Sequence, residues 1–213
     1  MTSSTRTGRS PRSTRCSTTS SKRKRATSRF SSAGYSPLPS PVGHGLAGLT
    51  VHLLTARDRT ELTSLRHVSV SVGAALAPDL DFLLRLVDGR NHHQGASHSI
   101  GCALLAAAGV ALFARLAGWP RALGLGLAAG AGWGSHLLLD YLAVDTHPPI
   151  GIPLLWPFAG RYFKSPLTLF LDIGRTLDWH TVRHDALAVT WETVIMLPIL
   201  LATWWWRRRR REG

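Results

Sequence analysis

Acidic residues are missing from the first 43 positions, which hold nine lysines and arginines. Charge is scarce in general: 17% of the 213 residues are Asp, Glu, Lys or Arg, against about 25% in an average soluble domain. Cysteine is almost absent. Cys16 lies in a polar tail and Cys102 in an apolar run, which excludes a disulfide framework and a Cys-type zinc site. No His-Glu-x-x-His occurs, which disfavours a zincin or an intramembrane metalloprotease. Aromatic residues do not interleave the Lys and Arg of residues 6–29, so nucleic acid is a poor partner for this tail.

What is present is a neutral body with basic ends. The formal charge of +13 comes from the first 43 residues and from residues 207–213, which hold five Arg and one Glu; the stretch between carries eleven residues of each sign. Residues 1–41 are rich in Ser, Thr and Arg with almost no large apolar side chain, a composition that cannot offset its ordering entropy, so they read as a disordered basic tail. Residues 42–206 read as a membrane-embedded domain and residues 207–213 as a basic cytoplasmic tail. Runs at 100–119, 122–143 and 186–206 are each about 20 residues long and apolar enough to cross some 30 Å of hydrocarbon. A weaker run, 67–87, is interrupted by Asp79 and Asp81, and 44–55 is too short to span. The expected fold is therefore all-α and multi-pass, with about four transmembrane helices. With both tails in the cytoplasm, residues 88–99 and 144–185 face outward and the Gly118–Arg121 turn faces inward. His147, His180 and His184 follow no motif and are read as loop residues.

Charged and imidazole groups inside apolar helices are expensive, and their default reading is functional. They occur here in groups: Asp79 and Asp81 in a Pro-Asp-Leu-Asp sequence, His93 and His98 in the next loop, His136 and Asp140 in the third run, and His44 at the head of the first apolar segment. The i, i+4 spacing of His136 and Asp140 stacks them on one helical face, where they can share a cation or tie two helices by a hydrogen bond. Taken singly, Asp79 and Asp81 after Pro78 also suit a helix cap and first-turn acid, and His93 and His98 suit ordinary loop residues. Together, four His/Asp groups bordering apolar runs point to a divalent metal, zinc first and manganese as the alternative. The ligand candidates are His44, Asp79, Asp81, His93, His98, His136 and Asp140. Metal-activated water needs a proton acceptor, and Asp81 and Asp145 are the candidates, since Asp79 and Asp140 read as ligands.

The order His44, Pro78-Asp79-Leu80-Asp81, His93-Gln94-Gly95-Ala96-Ser97-His98-Ser99, Gly132 to Asp140, and Gly151 to Phe158 resembles the YdjM-like family of inner-membrane-bound, metal-dependent hydrolases. The resemblance covers about residues 44–165. Gln94 replaces the usual Arg and Ala143 stands where Thr is common. The resemblance implies an inner-membrane metal-dependent hydrolase, and a weaker likeness to zinc-dependent phospholipase C and P1-type nucleases suggests a phosphoester, small or lipid-linked, as substrate. It also implies an alternative, because the family has been linked to a DNA-damage repressor: a non-enzymatic membrane scaffold that binds a protein partner. A PAP2-type lipid phosphatase shares His-x-x-x-Asp, but its Lys/Arg-Pro and Ser-Gly-His motifs are missing.

Overall fold

The computed structural model describes Met1, residues 39–84, Val87, and residues 94–145, 149–174 and 178–212. The segment expected to be disordered lies outside the described residues as far as residue 38, as do His93 and His147. The described elements belong to the unit Ser32–Gly213, one of two in the chain, the other being Met1–Ser31. They are all helical: α1 (Pro41–Thr55), α2 (Arg59–Leu62), α3 (Leu65–Leu76) continuing as a 3-10 helix (Ala77–Leu84), a 3-10 turn (Ala96–His98), α4 (Ile100–Leu116), α5 (Ala122–Tyr141) and α6 (Trp179–Glu212). Among the described residues there are isolated bridges and no strand.

Most helix starts are written in the sequence. Ser40, Ser64 and Ser99 each accept a hydrogen bond from the amide three residues on, heading α1, α3 and α4. Pro41 occupies the first turn of α1, where its missing N–H is harmless. Asp58 caps α2, and Glu61 reaches back to the Arg57 amide. Pro78 does the opposite inside the α3 run. Its ring cannot follow an α-helical turn, and the chain tightens to 3-10 geometry at Ala77. That change of pitch carries Asp79 and Asp81.

Small residues let α5 sit at the centre. A Cβ added at Gly126 would meet the Ala107 carbonyl at 2.5 Å, and one at Gly132 would meet the Ser71 carbonyl at 2.5 Å. Helices in a membrane associate by close backbone approach at such positions. On the other side, a Cβ added at Gly48 of α1 would meet the Val72 Cα of α3 at 2.8 Å. α5 thereby packs against α4, α3 and α1, while α1 also packs on α6.

Among the described residues, three helices are long and apolar enough to cross a membrane: Leu65–Leu84, Ala122–Tyr141 and Trp179–Arg210. The expected count of four is one too many. The run at 100–119 yields a helix of 17 residues, about 26 Å at 1.5 Å per residue, because Ser99 caps its start and Gly118, at φ 66°, turns the chain after Leu116. The two ends of the bundle also differ from expectation. Ser40 is bonded to Glu192 at one end, whereas Arg207 donates to the carbonyls of Leu53 and Ala56 at the other. α1 and this part of α6 therefore run parallel, and the chain enters the bundle at the end opposite to Arg207. Finally, α6 starts at Trp179, so His180 and His184 lie on helix and not in a loop. Asp178 makes this possible by accepting from the Thr181 amide and hydroxyl, 3.0 and 2.7 Å.

Between α5 and α6 the chain covers one end of the bundle. Val144 donates to the Phe170 carbonyl, and Ile152 and Phe163 exchange amide bonds at 3.0 and 2.9 Å. Gly151 has φ 92° and lies so close to the Phe163 carbonyl that a side chain there would be strained twice over. The Leu154 carbonyl accepts from the Ile100 amide, which ties this cover to the start of α4.

Glycine packing makes a direct prediction. Gly132→Ala should lower the unfolding free energy in detergent by about 1–3 kcal/mol through overpacking, whereas Gly134→Ala, with nothing within 4 Å of the added carbon, should leave the melting temperature unchanged or raised.

Candidate metal centre

Four separate elements deliver imidazole and carboxylate groups to one end of the bundle. α1 brings His44 on its first turn, the 3-10 helix after α3 brings Asp79, the 3-10 turn before α4 brings His98, and the last turns of α5 bring His136 and Asp140. His44, His98 and His136 are completely buried, and Asp140 nearly so. Two overlapping triplets, His44–His136–Asp140 and Asp79–His98–His136, each offer ligand atoms within 4.8 Å of one another.

Asp140 is the hub. Its Oδ1 lies 3.3 Å from His44 Nε2, and its Oδ2 lies 3.1 Å from His136 Nε2 and 3.3 Å from His98 Nε2. Asp79 Oδ1 stands 3.6 Å from His136 Nε2 and 3.8 Å from His98 Nε2. The rings of His44 and His136 are stacked, with centroids 3.8 Å apart.

The remaining nitrogens are set by a surrounding layer. The His136 Nδ1–H donates to the Ala75 carbonyl at 2.8 Å, which leaves Nε2 with its lone pair turned inward. His98 Nδ1 lies 3.0 Å from Ser97 Oγ and 3.3 Å from Asp81 Oδ2, and the Ser97 hydroxyl donates to that same carboxylate oxygen at 2.6 Å. This is the carboxylate-behind-histidine arrangement that orients metal ligands. Ser97 is in turn held by the Trp133 indole, which donates to its carbonyl at 2.8 Å.

A divalent cation fits this donor set. Among the described residues, His44 Nδ1 and Nε2, Asp79 Oδ1 and both oxygens of Asp140 are buried without a hydrogen-bond partner, and the Nε2 atoms of His98 and His136 face each other at 3.2 Å. So many inward-facing lone pairs are a heavy desolvation cost unless a cation or protons neutralise them. His136 has one free nitrogen, so a single ion takes it, and the two triplets cannot each hold an ion through that residue.

Of the expected site residues, the structure brings together His44, Asp79, His98, His136 and Asp140. Asp81 stands behind His98. Asp145 is in neither triplet; its carboxylate accepts from the Gly151 amide at 2.5 Å, and its carbonyl accepts from Lys164. Gln94 is buried with φ 60°, a left-handed conformation uncommon for its type, immediately before Gly95. Sequence reasoning missed Glu192, which is completely buried in α6. It accepts from the Ser40 amide at 2.7 Å and from the Ser40 hydroxyl, pinning the turn that carries His44. A lone Glu inside the apolar run 186–206 was a visible signal.

Two pKa shifts outside the spans bear on loading. Burial and the neighbouring His136 push His44 below the ordinary histidine value, so it is neutral and ready as a ligand. Burial opposes protonation of His98 as well, but hydrogen bonds to Asp79 and Asp81 and the charge of Asp140 outweigh it and push His98 up to about 10.

A family model described as YdjM inner membrane protein matches residues 40–211, four-fifths of the chain and more than the stretch 44–165 that carries the resemblance. No curated protein and no solved structure matches.

The His98 shift has a testable sign. A folded-state pKa above the unfolded value of 6.5 gives stability that is complete below 6.5 and lost as pH rises through about 10. Chelator-treated protein should therefore lose melting temperature between pH 7 and 10, more steeply than its Asp81→Asn variant. Divalent-ion affinity should rise over the same window, because a proton must leave His98.

Proposed function

The chain belongs to the YdjM inner membrane protein family, and from that membership and the geometry of the His/Asp cluster we propose that it is a membrane-bound, metal-dependent hydrolase of a phosphoester, small or lipid-linked. The observation that carries the proposal is Asp140. It is a nearly inaccessible carboxylate whose two oxygens face three imidazole nitrogens at 3.1–3.3 Å and, among the described residues, have no other hydrogen-bond partner. A structural His–Asp tie between helices would need one imidazole, not three.

His44, His136 and Asp140 would hold the ion, with His98 completing the set. When bound, a divalent ion, zinc or manganese by donor type, supplies a Lewis acid that polarises a phosphoryl oxygen and acidifies water. The protein's own groups divide the rest. Asp81 fixes the His98 ring through Nδ1 and is a positioning residue. Asp145, the other expected proton acceptor, is in neither triplet and accepts from the Gly151 amide of the covering loop. Asp79 is the one cluster carboxylate whose side chain is partly open, at 22% exposure, and it is placed to receive a proton from a water approaching on that side.

The side of the membrane follows from charge. Arg57, Arg59, Arg66, Arg115, Arg121 and Arg207–Arg210 gather at the end opposite the cluster, while Arg161, Lys164 and Arg183 lie at the cluster end, where the chain also enters at Ser40; we take the end with the dense arginine run as the cytoplasmic one. The cluster then faces outward. In a chain freed of Cys16 and Cys102, Ile150→Cys in the exposed cover should be labelled by an impermeant reagent from outside intact cells, and a cysteine at Gly213 should not; the reverse pattern would put the site in the cytoplasm.

Elemental analysis of natively purified protein should find close to one equivalent of divalent ion. Asp140→Asn and His136→Ala should lose it together with hydrolysis of phosphodiester, phospholipid or phosphomonoester substrates. Asp81→Asn should weaken metal affinity or turnover by about 10–100-fold. Metal retained without hydrolysis of any of these substrates would favour the scaffold role.

A further inference from the structure

The first and last helices of the bundle meet twice and part in between. Ala47 of α1 and Met196 of α6 belong to one hydrophobic cluster. About three turns further along α6, Arg207 donates to the carbonyls of Leu53 and Ala56. Between these contacts Leu49, His52 and Leu53 of α1 face Leu200, Leu201 and Trp204 of α6 across a cavity of about 340 Å³. Each wall is one helical face, since its residues recur three and four positions apart. His52 is the one titratable residue in the lining, and both of its ring nitrogens are engaged, Nδ1 with His67 Nδ1 at 2.9 Å and Nε2 with the Leu62 carbonyl at 3.1 Å. The walls are thus almost wholly apolar and give water little to bond to.

The cavity opens beside the arginine run. Arg208 follows Trp204 by one turn on the same helical face, and its guanidinium lies 5.6 Å from the Trp204 ring. Leu201 and Trp204 are 53% and 47% exposed, and Arg208 is exposed as well. Both the apolar wall and the cation are therefore within reach of a molecule arriving from the bilayer. Residues 207–213 hold five arginines against one glutamate, and Asp58 and Glu61 at this end of the bundle are already bridged by Arg121 at 2.6 and 3.1 Å. Trp204, Trp205 and Trp206, each beside an arginine, set this surplus of positive charge at the headgroup level of a membrane.

We propose that the cleft between α1 and α6 seats an anionic phospholipid, with an acyl chain between the leucine walls and its phosphodiester at Arg208. The site is separate from the metal centre and does not depend on the hydrolase reading. An apolar cleft on a membrane helix is filled by lipid or by another helix, and here charge decides between them. A second copy of the chain docked in parallel would bring five more arginines to the same place, whereas an anionic headgroup compensates those present. A zwitterionic headgroup brings as much positive charge as negative, so it gains less at the same position.

The test is native mass spectrometry of the delipidated full-length protein, titrated at low salt with phosphatidylglycerol and phosphatidylcholine of the same short chain length. One arginine near the headgroup should make phosphatidylglycerol bind at least about fivefold tighter. Arg208→Gln should remove that preference. Arg210→Gln loses the same charge two positions on, on the far side of the helix beside Trp206, and should keep it. Leu201→Trp, which fills the cleft from an exposed position, should lower affinity for both lipids about tenfold. Should that variant fail to fold, the two arginine variants decide alone. Glycerol phosphate, the same headgroup without chains, should not displace the lipid at equal concentration. The proposal is overturned by equal affinity for the two lipids, by equal losses in Arg208→Gln and Arg210→Gln, or by displacement with glycerol phosphate. A lipid-free dimer that Leu201→Trp dissociates would overturn it too, by placing a second copy in the cleft.

Discussion

A carboxylate with no route to water is tolerated in an apolar bundle when cations or protons gather around it. Asp140 is in that position: both of its oxygens face imidazole nitrogens on three different elements, and the backbone offers it no hydrogen bond. The rest of the bundle is arranged around this demand. His136 is held one turn away on the same helix, His44 must arrive from the first helix, and His98 from the turn preceding the fourth. Each is stopped at a distance where a shared charge, and little else, makes the arrangement favourable.

Helices of ordinary bulk could not bring these groups so close. The glycines of α5 and α1 let backbones touch backbones, so that Gly132 rests on the Ser71 carbonyl and Gly48 on Val72. Four residues after Ser71, the Ala75 carbonyl is then in place to take the His136 Nδ1–H. Close packing and ligand tautomer are thus one feature of the α3–α5 contact. The break at Pro78 follows within a turn, and it allows the same strand of chain to present Asp79 to the ligand side of His98 and Asp81 to its far side.

Most of this is legible from residue type and spacing. The expense of His and Asp in apolar runs is enough to single out His44, Asp79, His98, His136 and Asp140, and serine caps and Pro78 set element borders. Three things are not legible in that way. The distinction between Asp79 and Asp81 depends on 3-10 pitch, which sequence spacing of two does not reveal. The fourth span fails on length, because Gly118 and Ser99 trim an apolar run that composition alone counts as sufficient. Placing both basic ends on one side assumes an even number of crossings, and hydropathy gives no hint that α1, too short to span, nevertheless runs beside α6 from one end of the bundle to the other. His180 and His184 escape a loop assignment for a related reason: helices extend past their apolar stretch when a capping residue such as Asp178 receives the first amides.

The bond between Ser40 and Glu192 joins the first helix of the bundle to the last, 152 positions apart in the chain. During biosynthesis the imidazole of His44 is made early, yet the turn that aims it has no anchor until Glu192 enters the membrane with α6. Assembly of the centre is therefore a late event in biogenesis. Copies cut short before the last helix carry the His and Asp side chains of the cluster without the Ser40–Glu192 bond that fixes the turn bearing His44.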